Sequence, residues 1–453
     1  MSKDLYRHFL DSFEQSLANR VTDGRRIGAE LKFPLVKRSG EAADYATIHA
    51  LWRYLISRGW RAVEDSLSGK IVGASKPGEQ NETVASCETG YCKTEFSLAH
   101  VGNLFELERA ISELREELKP FADRNDVRFL AYGIQPVTPP SKRLLMKKSR
   151  TSVWDKVFAS NRHIPPEDGD DMHLFTINAA SHVHVSVSPE EAVPAVNVLN
   201  GFTGAQIALT AHSNVWRGRL DPQFKCVAEK FWDWWMPQSE RVGVPARPFK
   251  DLEDYVRAVS DFSPVYVKRE GVPIVPKGYD SFSEYCVCER ARGEDPNGRE
   301  VFFEPEHEDF DLHCTCYWFN ARLSRYYTVE NRVNDEQPPH ALPCIAALTL
   351  GLMEALPEAQ EALSAHDWNH LRQSREAACR DALLGKVNGR TLADLARELL
   401  DLAELGLRRR GKGEEKFLDR LEARLREKRS PADETEAMFR DGGVAALVEA
   451  RAL

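Results

Sequence analysis

The chain has 453 residues, 42% of them hydrophobic and 29% charged, with only 27 glycines and 24 prolines. This composition excludes collagen-like, low-complexity and wholly disordered proteins, and the length allows two or three domains, or one large catalytic domain with an appendage. The 70 acidic and 61 basic side chains give a net charge of −9, so a dedicated nucleic-acid-binding protein is not expected, because no basic excess is available to neutralise phosphates.

Helices and strands alternate in the N-terminal half of the predicted chain. Apolar residues at helical spacing predict an amphipathic helix at the N-terminus. The sequence Ser188-Pro189-Glu190-Glu191 has the capping serine, proline and acidic residues typical of a helix start, and it predicts the beginning of a long fourth helix. The predicted helices cover residues 5–17 (through Leu5, Phe9, Phe13 and Leu17), 44–58, 103–118 and 188–211. The predicted strands cover residues 27–36, 60–65, 70–75, 128–137 and 176–188.

Strands dominate after Pro264, and helices dominate the C-terminus. Alternating patterns predict strands at residues 265–275, 285–290, 312–323 and 326–333, and helical periodicity continues from residue 342 to the end. We therefore predict an α+β fold. Its catalytic domain comprises residues 1–340, and residues 341–453 form a helical C-terminal region packed on that domain.

The sequence predicts neither a targeting segment nor a membrane span. The N-terminal segment lacks the apolar core of a signal peptide, and the longest uncharged apolar stretch, residues 342–353, is too short to cross a bilayer. Nine cysteines without an export signal favour reduced thiols. We expect a soluble cytoplasmic protein with no membrane or nucleic-acid partner.

Four of the strand-like segments carry polar residues at close spacing. Taken singly, these residues are typical of solvated strand faces and surface ion-pair ladders, and a His-x-His pair is only sometimes a metal site. Together, carboxylates and a histidine suit Mg²⁺ or Mn²⁺, and neighbouring arginines suit a transferring phosphoryl group. The residues are Glu30 and Lys32, then Glu88 and Glu95, then His182 and His184, then Arg322, Arg325, Glu330, Arg332 and Asp335. Since no glycine-rich phosphate loop is present, ATP would be held through metal ions and arginines.

These segments, in this order, resemble the glutamate–cysteine ligases of the bacterial carboxylate–amine ligase type. The resemblance is carried by residues 182–219 and by RLSRYYTVENRVND at residues 322–335, a stretch that also matches the RLxRYxxxExR core of the plant enzymes. IGAELKF at residues 27–33, the glutamates around 88–95 and WDWW at 232–235 occur in the family's order. The resemblance covers nearly the whole chain.

The resemblance implies a glutamine-synthetase-like fold, in which a curved, mostly antiparallel sheet forms a funnel-shaped active site. It also implies small-molecule substrates: ATP phosphorylates the γ-carboxylate of glutamate, and an amine, usually that of cysteine, displaces the phosphate, as in glutathione biosynthesis. The implied metal ligands for Mg²⁺, or Mn²⁺, are Glu30, Glu88, Glu95, His182 and Glu330. The implied catalytic residues are Arg332, Arg322 and Arg325, and the predicted nucleotide contacts are Arg332, Arg325 and His184. Lys32 is a further predicted catalytic residue, which follows from a departure from the family pattern.

One departure from the family pattern concerns the metal site. The family's first motif has two metal-binding glutamates one residue apart, and Lys32 occupies the second position here. An ammonium placed about 5 Å from a divalent ion is repelled by roughly 6–7 kcal/mol at an effective dielectric of about 20. Three alternatives follow: the ammonium replaces one metal ion against phosphate, Lys32 turns outward, or its pKa falls.

Other features leave the acceptor and the activity open. The family's A-N-S-P reads Ala211-His212-Ser213-Asn214, and an expected arginine is missing near Lys225, Glu229 and Lys230. A different acceptor amine, a non-catalytic homologue and a metal-dependent hydrolase, which the His-x-His pair would suit, therefore remain alternatives. A homo-oligomer is also compatible with the sequence.

Two cysteine pairs and one aromatic cluster each have more than one interpretation. Cys286 with Cys288, and Cys314 with Cys316, would bind zinc, act as a redox switch or be buried as small apolar residues. Burial is favoured. The cluster at residues 231–235 would stack on adenine or, preferably, pack a helix against the sheet.

Overall fold

The computed structural model describes residues 2–18, 24–78, 81–237 and 239–453. The helices, in chain order, are α1 (Ser2–Ala18), α2 (Tyr45–Ser57), α3 (Leu104–Asn125), α4 (Trp154–Val157), α5 (Pro189–Gly201), α6 (Thr203–Thr210), α7 (Val227–Trp235), α8 (Leu252–Ser260), α9 (Phe282–Tyr285), α10 (Glu308–His313), α11 (Cys344–Glu354), α12 (Leu356–Ser364), α13 (Trp368–Asp381), α14 (Leu392–Arg410), α15 (Asp419–Glu427) and α16 (Pro431–Arg451). None of these helices, over the described ranges, has the length and apolar character needed to cross a membrane.

The strands are longest in the first third of the chain and in the segment that carries RLSRYYTVENR. In chain order they are β1 (Ile27–Lys37), β2 (Arg61–Glu64), β3 (Ile71–Pro77), β4 (Glu82–Cys87), β5 (Lys93–Ser97), β6 (Val127–Phe129), β7 (Ala180–Ser186), β8 (Val215–Trp216), β9 (Arg219–Leu220), β10 (Val242–Gly243), β11 (Val267–Arg269), β12 (Val272–Pro276), β13 (Ala291–Glu294), β14 (Glu300–Phe303), β15 (Trp318–Phe319), β16 (Ala321–Leu323), β17 (Thr328–Asp335), β18 (Lys386–Val387) and β19 (Arg390–Thr391).

A nine-stranded antiparallel sheet organises the described part of the chain. Its order is β16–β17–β7–β1–β5–β4–β3–β2, and β6 pairs with the end of β1. Strand β1 is central because alternate residues face opposite sides of a strand: Ile27, Ala29 and Leu31 are buried in the core, whereas Glu30 and Lys32 lie on the other face. The predicted α+β class is confirmed.

Helices cover the apolar face of this sheet. Helix α11 packs on β7 and β1, α6 packs on β17, and α14 packs outside α11 and α6. Almost every residue of α11 is buried, as expected for a helix that is hydrophobic all round. Helix α1 has the predicted position and buries Leu5, Phe9 and Phe13, whereas the side chain of Leu17 lies outside the described residues.

The predicted helix over residues 188–211 is two helices, α5 and α6, which meet at Phe202. Its predicted start is confirmed, because the Ser188 hydroxyl accepts the Glu191 N–H and the Glu191 carboxylate accepts the Ser188 N–H. Side chains at the two glycines that flank the break would collide with neighbouring helices: a Cβ on Gly201 would lie 2.3 Å from Leu363, and one on Gly204 would lie 2.0 Å from Ser374.

Several predicted strands are shorter than expected or are helical. Residues 285–290 and 312–317 contain no strand; helices α9 and α10 end in these segments, and buried Phe310 and His313 follow helical spacing in α10. The predicted strand over residues 128–137 ends at Phe129, because the N–H groups beyond it bond to three different partners: those of Ala131, Gly133 and Gln135 donate to the carbonyls of Arg451, His212 and Ile177. The predicted division at residue 340 stays a prediction.

Candidate active site

Most of the polar residues predicted from four separate segments meet on the face of the sheet opposite α11; Arg325 and Asp335 do not, and the Asp335 carboxylate instead accepts hydrogen bonds from the His212 N–H and the Ser213 hydroxyl. Strand register brings them together: Glu30 of β1 lies opposite His182 of β7, and Lys32 lies opposite Glu95 of β5. On the other side of β7, His184 lies opposite Glu330 of β17, and Glu330 lies opposite Arg322 of β16. Antiparallel pairing places such cross-strand neighbours within side-chain contact.

Glu30, His184 and Glu330 form the one group of three acidic, histidine or cysteine residues, among the described residues, whose donor atoms converge as metal ligands would. One donor atom of each lies within 4.8 Å of the other two. The Nε2 atom of His184 lies 3.3 Å from a Glu30 oxygen, and its Nδ1 atom lies 3.0 Å from the Thr328 hydroxyl, which orients the ring. Two carboxylates and one imidazole fit one Mn²⁺ or Mg²⁺ ion. The sequence had predicted His182 rather than His184 as the ligand.

Lys32 points into the site and contacts the other predicted metal ligands. Its Nζ atom lies 2.9 Å from Glu30, 3.5 Å from Glu95 and 4.0 Å from Glu88, and it lies 2.9 Å from Nδ1 of His182. Only 1% of the residue is exposed. Burial lowers its pKa, but the three carboxylates outweigh burial and raise the pKa above its usual value. The two alternatives in which Lys32 turns outward or has a lowered pKa therefore have no support in the structure.

Burial and neighbouring charges shift the pKa values of Glu95, His182 and Glu30. Burial raises the pKa of Glu95 to about 8, with Glu30 and Glu88 adding to the effect. Burial, Lys32 and Arg332 lower the pKa of His182 to about 4, so its imidazole is neutral at pH 7. Burial would raise the pKa of Glu30, but Lys32 and the two histidines hold it well below the usual range. Glu30 is therefore a carboxylate at neutral pH.

Two of the three predicted arginines reach the site through Glu330. Arg322 donates to Glu330 over 2.9 Å and to the carbonyls of Thr315 and Tyr317, and Arg332 also pairs with Glu330. The two guanidinium groups overcome burial and lower the pKa of Glu330. Arg325 is not brought to this group, since it is exposed in the turn between β16 and β17, where its guanidinium contacts Tyr326.

Two further lysines, Lys93 and Lys148, lie beside the site and were not predicted from the sequence. Lys93 lies 2.8 Å from Glu88 and is anchored by the Phe175 carbonyl and the Asn178 side chain. Lys148 donates to the Cys87 carbonyl over 2.7 Å, and none of the carboxylates in the described ranges lies within 4.0 Å of its ammonium. Burial and Arg150 lower its pKa to about 8. The basic run at residues 142–150 is the signal that could have found it.

His212, where the sequence departs from the family's A-N-S-P motif, and the aromatic cluster take structural roles. His212 is buried between the Glu336 carbonyl, 2.8 Å from Nδ1, and Arg451, 2.8 Å from Nε2. Phe231 and Trp235 are buried, and Trp232 stacks on Trp318, which favours packing over adenine stacking.

The cysteine pairs do not form a metal-ligand group in the described part of the chain. Each lies at the end of a short helix, α9 or α10, and Cys316 is buried. The zinc interpretation therefore has no geometric support.

Three comparisons bear on the family. A family model described as glutamate-cysteine ligase family 2 matches residues 26–450. A curated protein of Rubrobacter xylanophilus, provisionally named glutamate–cysteine ligase 2-3, is 31% identical over 197 residues, which cover 43% of this chain and 50% of the relative. The match thus spans about half the length of that relative.

The fold has a solved counterpart. The crystal structure of glutamate–cysteine ligase from Francisella tularensis in complex with AMP is 12% identical, with a TM-score of 0.55, over 94% of this chain and 87% of that one. At this identity the likeness concerns the fold alone, and it confirms the glutamine-synthetase-like fold expected from the sequence. Because the family model spans nearly all of the sequence, this chain belongs to glutamate-cysteine ligase family 2, a family of carboxylate–amine ligases.

Proposed function

We propose that the chain is an ATP-dependent glutamate–cysteine ligase. In the first step a γ-carboxylate oxygen of glutamate attacks the γ-phosphorus of ATP, ADP leaves, and an acyl phosphate forms. In the second step the amino nitrogen of cysteine attacks the acyl carbon, the C–O bond to phosphate breaks and phosphate leaves, and the proton lost from nitrogen passes to solvent. The product would be the γ-glutamyl dipeptide used in glutathione biosynthesis.

The observation that carries this proposal is the convergence of Glu30, His184 and Glu330 beside Arg322 and Arg332. A divalent ion held by the first three residues would supply Lewis-acid stabilisation of phosphoryl oxygens. Arg322 and Arg332 add fixed positive charge where phosphoryl transfer accumulates negative charge. Glu330 serves both groups, because its carboxylate also orients the two guanidinium planes.

Lys148 is assigned a binding role in the same proposal. The Lys148 side chain is half-buried, its ammonium donates to the Cys87 carbonyl, and the charges of Glu88 and Glu95 act on it. A cation that has no carboxylate within 4.0 Å, among the described residues, is suited to an anionic ligand group, such as the α-carboxylate of glutamate or a phosphate of ATP.

The test is ADP release with Mg²⁺, ATP, glutamate and a panel of amines that includes cysteine, with mass spectrometry of the products. The proposal expects ADP release that requires both glutamate and cysteine, and a condensation product. A product that contains a different amine would identify another acceptor. Hydrolysis of a candidate substrate without ATP would favour the metal-dependent hydrolase. No ADP release with any combination of glutamate and amine would favour a non-catalytic homologue.

Glu330→Gln provides the variant for this assay, and Asp309→Asn is its matched control. Asp309 is also a buried carboxylate paired with an arginine, Arg269 at 2.7 Å, but it lies outside the site. Both substitutions remove one charge from a buried ion pair. Only Glu330→Gln should abolish ADP release per folded molecule, whereas equal losses in both variants would contradict the assignment.

A further inference from the structure

The ammonium of Lys32 lies at the point where donor atoms from three strands converge. Oxygens of Glu30, Glu88 and Glu95 and a nitrogen of His182 surround it at 2.9 to 4.0 Å. These four groups are the kinds of donor that a divalent ion uses. Lys32 thus occupies the centre of a second donor cluster, beside the group formed by Glu30, His184 and Glu330.

Lys32 is also fixed in place by its backbone. The backbone N–H of Lys32 donates to the Glu336 carboxylate over 2.6 Å. Lys32 lies opposite Glu95 in the pairing of β1 with β5, and its side chain is buried. A second lysine on the sheet, Lys93 of β5, forms an ion pair with Glu88, with 2.8 Å between its Nζ atom and the carboxylate oxygen. Glu88 and Glu95 therefore already have counter-charges supplied by the chain, and a divalent ion placed among them would meet two ammonium groups at close range.

We propose that Lys32 is a built-in cation that replaces a divalent metal ion in this half of the site. The chain then binds one divalent ion, at Glu30, His184 and Glu330, and the Glu88–Glu95 half carries its positive charge on lysine. The inference rests on the proposed function only in requiring a divalent ion at the first group. The inference concerns the number of divalent ions bound, so it would still hold if the substrates were not glutamate and cysteine.

The experiment counts and locates Mn²⁺ in the full chain without nucleotide. Free Mn²⁺ is measured by electron paramagnetic resonance during titration, and bound Mn²⁺ is located by anomalous diffraction from soaked crystals. The wild-type chain should bind one ion, located between Glu30, His184 and Glu330. Lys32→Gln and Lys32→Glu should each bind a second ion, located among Glu30, Glu88 and Glu95.

Lys230→Gln is the control. Lys230 is also an ammonium held by two carboxylates, Asp233 at 2.8 Å and Glu376, but it lies outside the site, and its removal should leave the count at one. Two ions or none in the wild-type chain would overturn the proposal, and so would an unchanged count in folded Lys32 variants. If both variants fail to fold, the number of Mn²⁺ ions bound to the wild-type chain and the position of its anomalous-diffraction peak still test the proposal.

Discussion

Four carboxylates and four cationic side chains share one face of the sheet. The carboxylates belong to Glu30, Glu88, Glu95 and Glu330, and the cations to Lys32, Lys93, Arg322 and Arg332. Each of these eight side chains lies within 4.0 Å of at least one of the opposite type, which offsets part of the large cost of removing the charges from water. Replacing buried ion pairs with apolar residues of similar volume is often neutral or stabilising, so a cluster of this size is expected at a functional site rather than in a purely structural core.

Arg332→Lys should lower kcat without a comparable change in the stability of the fold. Lysine keeps the positive charge but loses the planar guanidinium that pairs with Glu330 and that, under the proposed function, would also bind a phosphoryl group. Loss of one transition-state contact of this kind typically costs about 100-fold or more in kcat. Steady-state ADP release measures the effect, with the exposed Arg257→Lys as control. An unchanged kcat would remove Arg332 from the mechanism.

Asp335 should make stability depend on pH. Burial raises its pKa to about 7, against about 3.9 in an unfolded chain, so the folded state holds an extra proton between these values. The free energy of unfolding should therefore fall as pH rises through this window, by up to about 1.4 kcal/mol per pH unit, and level off above pH 7. Urea unfolding of wild type and Asp335→Asn at several pH values measures the difference. Parallel pH profiles would contradict this assignment.

Residue types and spacing predicted much of the site, but not which side chains meet. Alternation along β1 correctly placed Glu30 and Lys32 on one face. The choice between His182 and His184 depends on the register of β7 against β17, and a register is a tertiary property that one strand's sequence does not reveal. Lys148 arrives from an irregular segment without periodicity, so its proximity to Glu88 could not be predicted.

Strand β17 illustrates how one element serves the core and the site together. Glu330 and Arg332 lie on the polar face, while Asn331 is buried between them and donates to Gln206 and Thr349 on the helices behind. The register with β7 shifts between Asn331 and Asn334. A bulge of this kind redirects side chains near functional sites and adds local twist.

Helix α16 should stabilise the fold through its last residue. Arg451 is buried and donates to Nε2 of His212 over 2.8 Å and to Glu434 over 3.1 Å. Arg451→Met removes these charge-assisted bonds, so the free energy of unfolding should fall by about 2 kcal/mol or more. Arg440→Met, at an exposed position of the same helix, should change it by less than about 0.5 kcal/mol. Equal effects in urea titrations would contradict the role of Arg451.

Helices and strands were predicted best where a regular pattern of apolar residues extended over many positions. They were predicted worst where cysteines alternated with other small residues. The helices after residue 342 and the strands β1 and β17 match their predictions. The segments around Cys286 and Cys314 have a period-two pattern, but helix-capping residues such as Ser281, which accepts the Glu284 N–H, dictate short helical turns instead.

At the scale of the whole molecule, the C-terminal helices complete the core of the catalytic sheet. Helix α11 covers β7 and β1, and the last residue, Leu453, donates its N–H to the Phe129 carbonyl of β6. We therefore expect a fragment of residues 1–340 to lack a cooperative unfolding transition, because the apolar face of its sheet would be exposed. Thermal unfolding and gel filtration of the fragment and the full chain test this. A compact fragment with a sharp transition would show two independent domains.

The ligase chemistry is tested most directly by following an oxygen atom. Glutamate labelled with ¹⁸O in its side-chain carboxylate is incubated with the full chain, Mg²⁺, ATP and cysteine, and the phosphate released is analysed by mass spectrometry. An acyl-phosphate pathway predicts one ¹⁸O atom in each phosphate formed, because the carboxylate oxygen leaves with phosphorus. Unlabelled phosphate, or ATP consumption that does not depend on glutamate, would contradict it.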